Sequence, residues 1–344
     1  MRGAVMAIAH HPDRKRVSVG DWHDRADLLQ LRRSGLCHRF RMDFAIGIPQ
    51  YVGDDGFDGA AFRAHLARAE DLGFHSAWVQ EQTLGTARTL SPLGAMTYAA
   101  ACTERLRLGC AVFVTPLHNA LHLAKEIATL DNLSHGRIEV GLAAGGRARP
   151  FAAFGVDPDR PVARFNEGLE LMKACWSEPR ITLAGDFWQL DDAAMEPKPV
   201  QRPHPPIWIG GNHPNALRRA ARLGNGFFGA GSQTTAAFAE QVRGVRAELE
   251  RLDRDPAGFR FAKRVYVRVD DDGARARERL EAVLASHYGR PGWDAVVVTG
   301  PPSACIDGLR AVADAGAEMI LLNPLVDDLQ QMERLAAEVI PPLR

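Results

Sequence analysis

Apolar residues follow two alternating rhythms along this chain: short unbroken runs, and longer stretches with three- and four-residue spacing. Residues 106–114 form a nearly continuous apolar run, the pattern of a strand buried on both faces. Over residues 120–133, Leu121, Leu123, Ala124, Ile127, Leu130 and Leu133 fall largely on one side of a helix. Residues 138–142 make a second short apolar strand, followed by Gly145 and Gly146. Such a strand–helix–strand unit lays its two strands parallel. Loops at the carboxyl edge of a parallel sheet carry the chemistry of α/β proteins, and the two glycines leave room for a ligand there.

The same alternation starts at Met42 and continues to the end of the chain. Strands are predicted over 43–48, 76–79, 106–114, 138–142, 207–210, 226–228, 260–269 and 319–322. Helices are predicted over 57–72, 92–102, 120–133, 162–176, 215–223, 235–252, 274–287 and 303–315, with 327–339 closing the chain. Gly73 follows the first helix as its terminator, and Ser91-Pro92 opens the second as N-cap and first-turn proline. Eight strands, each followed by helix, predict a (β/α)8 TIM barrel over residues 42–344. An open doubly wound sheet would carry a G-x-G-x-x-G turn after its first strand, and none is present. Residues 179–206, rich in Pro and Asp, are too long for an ordinary barrel loop and read as an insertion between strands 4 and 5.

Composition narrows the function. The 344 residues are 46% hydrophobic and 24% charged, enough for a large core. Lys+Arg and Asp+Glu both number 42, so no global field favours nucleic acid or an anionic membrane. The five cysteines are scattered without a CxxC pair, which suggests neither a disulfide framework nor a zinc site and fits a reducing cytoplasm. No run is long and apolar enough for a transmembrane helix, and no His/Asp/Glu cluster has metal-ligand spacing. Residues 1–41 lack both periodicity and a signal-peptide core; a poorly ordered N-terminal extension is expected, or else a short helix over 24–33 packed on the barrel.

Several stretches resemble the bacterial luciferase-like flavin oxidoreductases. They are Gly73-Phe74-His75-Ser76-Ala77-Trp78-Val79, Thr103-Glu104-Arg105-Leu106-Arg107-Leu108-Gly109, Leu130-Asp131-Asn132-Leu133-Ser134-His135-Gly136-Arg137, Pro197-Lys198-Pro199-Val200-Gln201 and Pro205-Pro206-Ile207-Trp208-Ile209-Gly210-Gly211. The resemblance implies a luciferase-like TIM barrel that binds reduced FMN or the deazaflavin F420 at the carboxyl ends of the strands. It further implies hydride transfer to, or monooxygenation of, a small organic substrate, and a homodimer built on the Ala-rich helices 57–72 and 91–102. A non-catalytic flavin-binding protein is the alternative, since the family holds such members too.

The resemblance also assigns roles. Arg164 matches an arginine that grips the cofactor phosphate, where a guanidinium offers two parallel donors; a solvated arginine pairing Glu167 is the plainer reading. Gly210, Gly211 and Asn212 precede a helix and permit close approach of a phosphate, and equally suit a tight turn capped by Asn212 or His213. Gly145 and Gly146 would let the cofactor approach the backbone. The family's non-prolyl cis peptide would fall at Ala111-Val112. Where many relatives carry an acidic residue and then a proton-handling His, this chain has Glu81-Gln82. Gln82 hydrogen-bonds but does not titrate; Glu81 is the substitute if burial raises its pKa, and a plain loop carboxylate otherwise. Luciferases place an Arg for the FMN phosphate where this chain has Ala144, and the run Ala143-Ala144-Gly145-Gly146 looks more like the F420-using branch. F420 is therefore expected first and FMN second. His118 stands on the ligand side, and the loop 85–90 and the aromatics Phe151, Phe187 and Trp188 are expected to cover the mouth.

Overall fold

The computed structural model describes residues 42–146 and 150–344, so the expectation for residues 1–41 lies outside the described residues. The chain runs β1 (Asp43–Gly47), α1 (Gly59–Asp71), β2 (Ser76–Val79), α2 (Pro92–Cys102), β3 (Arg107–Val114), α3 (Ala120–Leu133), β4 (Ile138–Ala143) and α4 (Pro161–Ser177). A hairpin follows, β5 (Ile181–Ala184) and β6 (Gln189–Ala193). Then come β7 (Ile207–Gly210), α5 (Pro214–Leu223), β8 (Gly226–Gly229), α6 (Thr235–Arg251), β9 (Arg260–Val269), α7 (Gly273–Tyr288), β10 (Val297–Gly300), α8 (Pro302–Asp314), β11 (Met319–Asn323) and α9 (Asp328–Arg334). β1, β2, β3, β4, β7, β8, β9 and β11 pair in parallel in that order, and β11 returns to β1. This is the predicted closed eight-stranded TIM barrel.

Side-chain size makes the closed barrel packable. Its interior holds Ala45, Trp78, Trp208, Phe228, Ala262, Met319 and Leu321. Large residues face glycines on neighbouring strands: a Cβ at Gly109 would stand 2.4 Å from the Trp78 ring, and one at Gly226 would stand 2.4 Å from the Trp208 ring. The Trp208 Nε1–H donates to Glu139 Oε2 at 2.5 Å, and Arg107 Nε pairs with Glu139 Oε1 at 2.5 Å, so the buried carboxylate has both oxygens satisfied. A larger apolar layer, including Phe44, Leu66, Met96, Ile127, Phe165, Trp176, Val242 and Leu309, fills the space between the strands and the helices.

The amino ends of the strands are locked by the motifs that carried the resemblance. Arg137, which precedes β4, donates through Nε to Ser134 O (2.7 Å), through Nη1 to Thr103 Oγ1 (2.7 Å) and Leu106 O (2.8 Å), and through Nη2 to Ala100 O (2.9 Å) and Thr103 O (2.9 Å). It thereby ties the end of α2 to the entries of β3 and β4. Asp131 accepts from the Gln201 backbone at 3.0 Å and from Gln201 Nε2 at 2.8 Å, fastening the end of the insertion to α3.

Some predicted elements shift. α1 starts at Gly59 rather than at 57, because Asp58 caps it, Oδ1 accepting from the N–H groups of Ala60 and Ala61 at 2.9 Å each. β10 was not predicted; it is a four-residue strand that pairs only with Tyr266–Val269 of β9 and takes no part in barrel closure. The insertion contains an antiparallel hairpin, and its aromatic Trp188 packs on α4, where a Cβ at Gly168 would stand 3.1 Å from the ring. Past α9 the helix widens into a π turn, Leu335–Val339. Among the described residues, no helix is long and apolar enough to cross a membrane.

Candidate active site

A cavity of about 400 Å³ opens at the carboxyl ends of the strands. Strand periodicity puts the ends of β2, β3, β4, β7 and β8 around one mouth, so residues distant in sequence converge there. Gln80, Glu81 and Gln82 follow β2; Ala111 and Val112 come from β3, Ala143 from β4, Gly210–Asn212 from the end of β7, and Phe228 and Gly229 from β8. Arg264 enters from β9, and Tyr51, Leu84, Thr89, His287 and Tyr288 complete the rim.

The β3 wall is bulged. The Ala111-Val112 peptide is cis, and the β3–β4 register shifts between Cys110 and Phe113. Gly141 on β4 makes the space for it: a Cβ there would lie 2.1 Å from the Cys110 carbonyl oxygen. The bulge offers small apolar side chains to the cavity, and Ala111 packs against the interior cluster that holds Phe228, which also lines it, so this wall suits a flat ring.

The rim beside the bulge is backbone: a Cβ at Gly210 would stand 3.4 Å from Val112 Cγ1. Gly211 has φ +150°, and a Cβ on it would stand 2.6 Å from Ala216 Cβ, so only glycine turns the chain here between β7 and α5. His213 caps that helix, Nδ1 accepting from Asn215 N–H at 3.2 Å. Asn212 is held by Gln241, whose Nε2 donates to its Oδ1 at 3.1 Å.

Glu81 is the cavity's only carboxylate among the described lining residues, and it is fixed. Its Oε1 lies 2.6 Å from His118 Nε2, and its Oε2 accepts from the Val114 N–H at 2.5 Å. The Glu81 side chain is 4% exposed and that of His118 is 26% exposed, so the imidazole is the half of the pair that reaches solvent. Gln82 lies against the backbone of the next turn, where a Cβ at Gly85 would be 2.1 Å from its Nε2.

This arrangement has known relatives. The model of the luciferase-like monooxygenase family matches residues 42–296, most of the chain. The chain belongs to the luciferase-like monooxygenase family. It is 30% identical to an FMNH2-dependent dimethylsulfone monooxygenase of Pseudomonas putida over 199 residues, 57% of this chain and 52% of that protein. It is 26% identical to an F420-dependent glucose-6-phosphate dehydrogenase of Intrasporangium calvum over 319 residues, 81% of this chain and 93% of that protein. The chain spans about half the length of the first curated relatives it matches. The F420-dependent tetrahydromethanopterin reductase of Methanopyrus kandleri superposes with a TM-score of 0.74 at 20% identity, covering 88% of this chain and 100% of that one, which shows a shared fold.

Within this family barrel, the predicted site residues divide. Glu81, Gln82, Ala111, Val112, Gly210, Gly211 and Asn212 all line one cavity. Gly145, Gly146 and Arg164 do not. Gly145 has φ +78°, a glycine conformation, but nothing stands within 4 Å of a Cβ at Gly146. Arg164 donates from Nε to Pro116 O at 3.2 Å, and its guanidinium lies 4.7 Å from the Trp188 ring centroid; burial lowers its pKa, with Glu167 opposing. The expectation that Phe151, Phe187 and Trp188 cover the mouth fails, because none lines the cavity; Trp188 instead backs Arg164 and α4. The loop 85–90 does contribute, through Thr89.

Arg264, Tyr51, His287 and Tyr288 were not singled out from sequence. The available signal was the strand itself: Lys263, Arg264 and Arg268 interrupt a run that otherwise reads as buried barrel strand. Lys263 and Arg268 are spoken for. Lys263 Nζ donates to Ala230 O at 3.1 Å and Gln233 O at 2.8 Å, and Arg268 pairs with Asp327 at 2.8 Å.

Proposed function

We propose that this chain is an oxidoreductase of the family that holds a reduced deazaflavin or flavin in the cavity and acts on a small organic substrate. The observation that carries the reading is the Glu81–His118 pair beside the bulged β3 wall. The residues fit such a cofactor. Ala111, Val112, Ala143 and Phe228 give an apolar seat for a ring, and Gly210–Asn212 at the start of α5 give backbone donors for a phosphate. We propose Arg164 as a second grip on the cofactor's phosphate tail, since its terminal nitrogens have no partner among the described residues. Gly145 and Gly146 keep that approach open. F420 is our first choice and FMN the second, because Ala143-Ala144 is small where luciferases carry an arginine.

When bound, the reduced cofactor supplies the hydride or the reactivity toward oxygen. The protein's part is then positioning and proton handling. Glu81, which lines the cavity, is anchored by the Val114 N–H and paired through Oε1 with His118 Nε2; His118 stands behind it, outside the cavity lining, so the carboxylate is the group that meets the substrate and the imidazole is the partner that exchanges a proton with it. This supplies in two residues the proton function that Gln82 lacks. A binding module without turnover would have no use for such a pair, which favours the enzyme.

We also propose a homodimer contact on α1, α2 and the residue leading into α1, where Phe57, Phe62, Ala95 and Tyr98 line an apolar groove and Phe57 is 46% exposed. A monomer mass in light scattering would reject that contact. The activity itself is tested by following oxidation of reduced F420 and of reduced FMN by the purified protein with a panel of enones, ketones and aldehydes. Oxidation above the protein-free rate is expected for at least one of them; a rate equal to the protein-free control across the panel and in air would remove the proposal.

A further inference from the structure

A second cavity, of about 520 Å³, opens at the amino ends of the strands, on the face away from the candidate active site. It forms where α6 hands over to β9. α6 ends at Arg251, the chain turns at Asp253 with φ +51°, and Asp255 caps one short turn, its Oδ1 accepting from the Ala257 N–H at 2.9 Å. That detour leaves the buried rings of Phe259 and Phe261 and the buried Leu249 side chain as an apolar floor. The two rings meet edge to face with their centroids 5.3 Å apart. The volume is that of a small-molecule pocket, for which roughly 300–1,000 Å³ is usual.

Two side chains of opposite charge line this cavity without pairing with each other. Glu318, one residue before β11, accepts from the Phe261 N–H through Oε2 at 3.3 Å, and Arg260 Nε stands 3.8 Å from that same oxygen; Oε1 has no partner among the described residues. Burial raises the pKa of this half-buried carboxyl, outweighing the Phe261 N–H, Arg260 and Arg246. Arg246 has neither a hydrogen bond from its side chain nor an ion pair among the described residues. Its guanidinium lies 5.2 Å from the Phe261 ring centroid, and a Cβ at Gly316 would stand 3.4 Å from its Nη2, so a glycine on the α8–β11 connection leaves the space it occupies. Arg254 is already committed: Nη1 donates to Ala221 O at 2.5 Å and Nη2 to Gly224 O at 2.9 Å. Glu250 and Asp253 add negative charge to the lining.

We propose that this cavity binds a free α-amino acid with an apolar or aromatic side chain, its ammonium on Glu318 Oε1, its carboxylate on Arg246 and its side chain on the Leu249, Phe259 and Phe261 floor. Charge selects the zwitterion. A simple carboxylic acid meets Glu318, Glu250 and Asp253, and a simple amine meets Arg246 and Arg254, each a like charge beside an apolar floor. A zwitterion gives both unpaired groups a partner, and its carboxylate can take two parallel donors from the guanidinium. The site is separate from the proposed cofactor cavity and does not depend on the oxidoreductase reading.

The test is calorimetric titration of the full chain with L-phenylalanine, phenethylamine and 3-phenylpropionate, which differ only in which charged groups they keep, for the wild type, Glu318→Gln and Arg246→Gln. L-phenylalanine should bind at least about tenfold more tightly than either singly charged analogue. Glu318→Gln should cost it at least about tenfold while 3-phenylpropionate binds no more weakly, and Arg246→Gln should cost it as much while phenethylamine binds no more weakly. A variant that misfolds loses its melting transition and all three ligands together, and the wild-type ranking then decides alone. Hydrogen exchange locates the ligand: slowed exchange is expected over residues 246–261 and around 318, and should persist with saturating F420 or FMN. Equal affinity for L-phenylalanine and either analogue, no saturable binding, parallel loss of all three ligands in a folded variant, or protection at residues 80–82 and 210–212 instead would each overturn the proposal. Amino-acid binding without cofactor turnover would reject the oxidoreductase reading alone.

Discussion

Two arginines lie at opposite ends of this barrel and are treated in opposite ways. Arg137, at the amino ends of the strands, donates five hydrogen bonds, to the end of α2, to the α2–β3 connection and to Ser134 at the end of α3. Arg264, facing the cavity at the carboxyl ends, has Nε and Nη1 buried and unpartnered. The same side chain therefore serves closure at one end and is left unsatisfied at the other. In a TIM barrel the amino face holds the fold and the carboxyl face holds the chemistry, and here that division shows in the hydrogen-bond bookkeeping of single residues.

The sharpest way to break this contrast is to remove both arginines in turn. Arg137→Ala should destabilise the protein by about 3–5 kcal/mol in urea unfolding, since it strips the partners from several buried carbonyls. Arg264→Gln should change stability by less than about 1 kcal/mol or raise it. Equal losses would mean that both are structural. Within the carboxyl end, Glu81→Gln should lower turnover by about 10²–10⁴-fold, the usual range for a lost general acid–base, with cofactor affinity nearly intact. An equal rate would return Glu81 to the loop.

Protonation adds a third comparison. His65 Nε2 lies 3.1 Å from Gly47 O at the end of β1, and burial pushes the imidazole down to about 4. Between its ordinary pKa near 6.5 and about 4, the unfolded chain takes up a proton that the folded protein refuses. Stability is therefore complete above that window and falls through it on acidification, by on the order of 3 kcal/mol. His65→Gln should flatten that part of a stability–pH curve measured with urea; an unchanged slope would show that another group sets it. The smallest effect on ligand binding is expected at Arg164, which lies outside the cavity lining: Arg164→Ala should weaken cofactor binding by about 1–3 kcal/mol if it grips the phosphate, and unchanged affinity would leave it as a partner of Trp188 and Pro116.

Much of the scaffold could be read from the chain. Eight buried runs spaced by helical stretches imply a closed barrel; Gly210-Gly211 at the end of β7, and the Ala111-Val112 peptide that the family resemblance marked, do line the cavity, whereas Gly145 and Gly146 do not. β10 escaped because Val297–Gly300 is only a four-residue strand that pairs past the barrel's closure, so no periodic partner announced it. Phe187 and Trp188 were misplaced because aromatic content does not say which way a hairpin folds, and here it folds onto α4. Arg264 escaped for a different reason. What marks it is the absence of partners, and that is a property of the assembled surroundings rather than of the residue's neighbours in sequence. The Glu81–His118 pair likewise joins positions 37 residues apart, and only the β2–β3 packing brings them within 2.6 Å.

The most direct test of the cofactor reading is a titration of purified apoprotein with reduced F420 and with reduced FMN, followed by fluorescence. The account predicts saturable binding of F420, tighter than FMN, and loss of that binding when Gly211 is replaced by Val, whose side chain would collide with Ala216. Saturable but tighter binding of FMN would reverse the order of the two cofactors. Binding of neither would contradict the account.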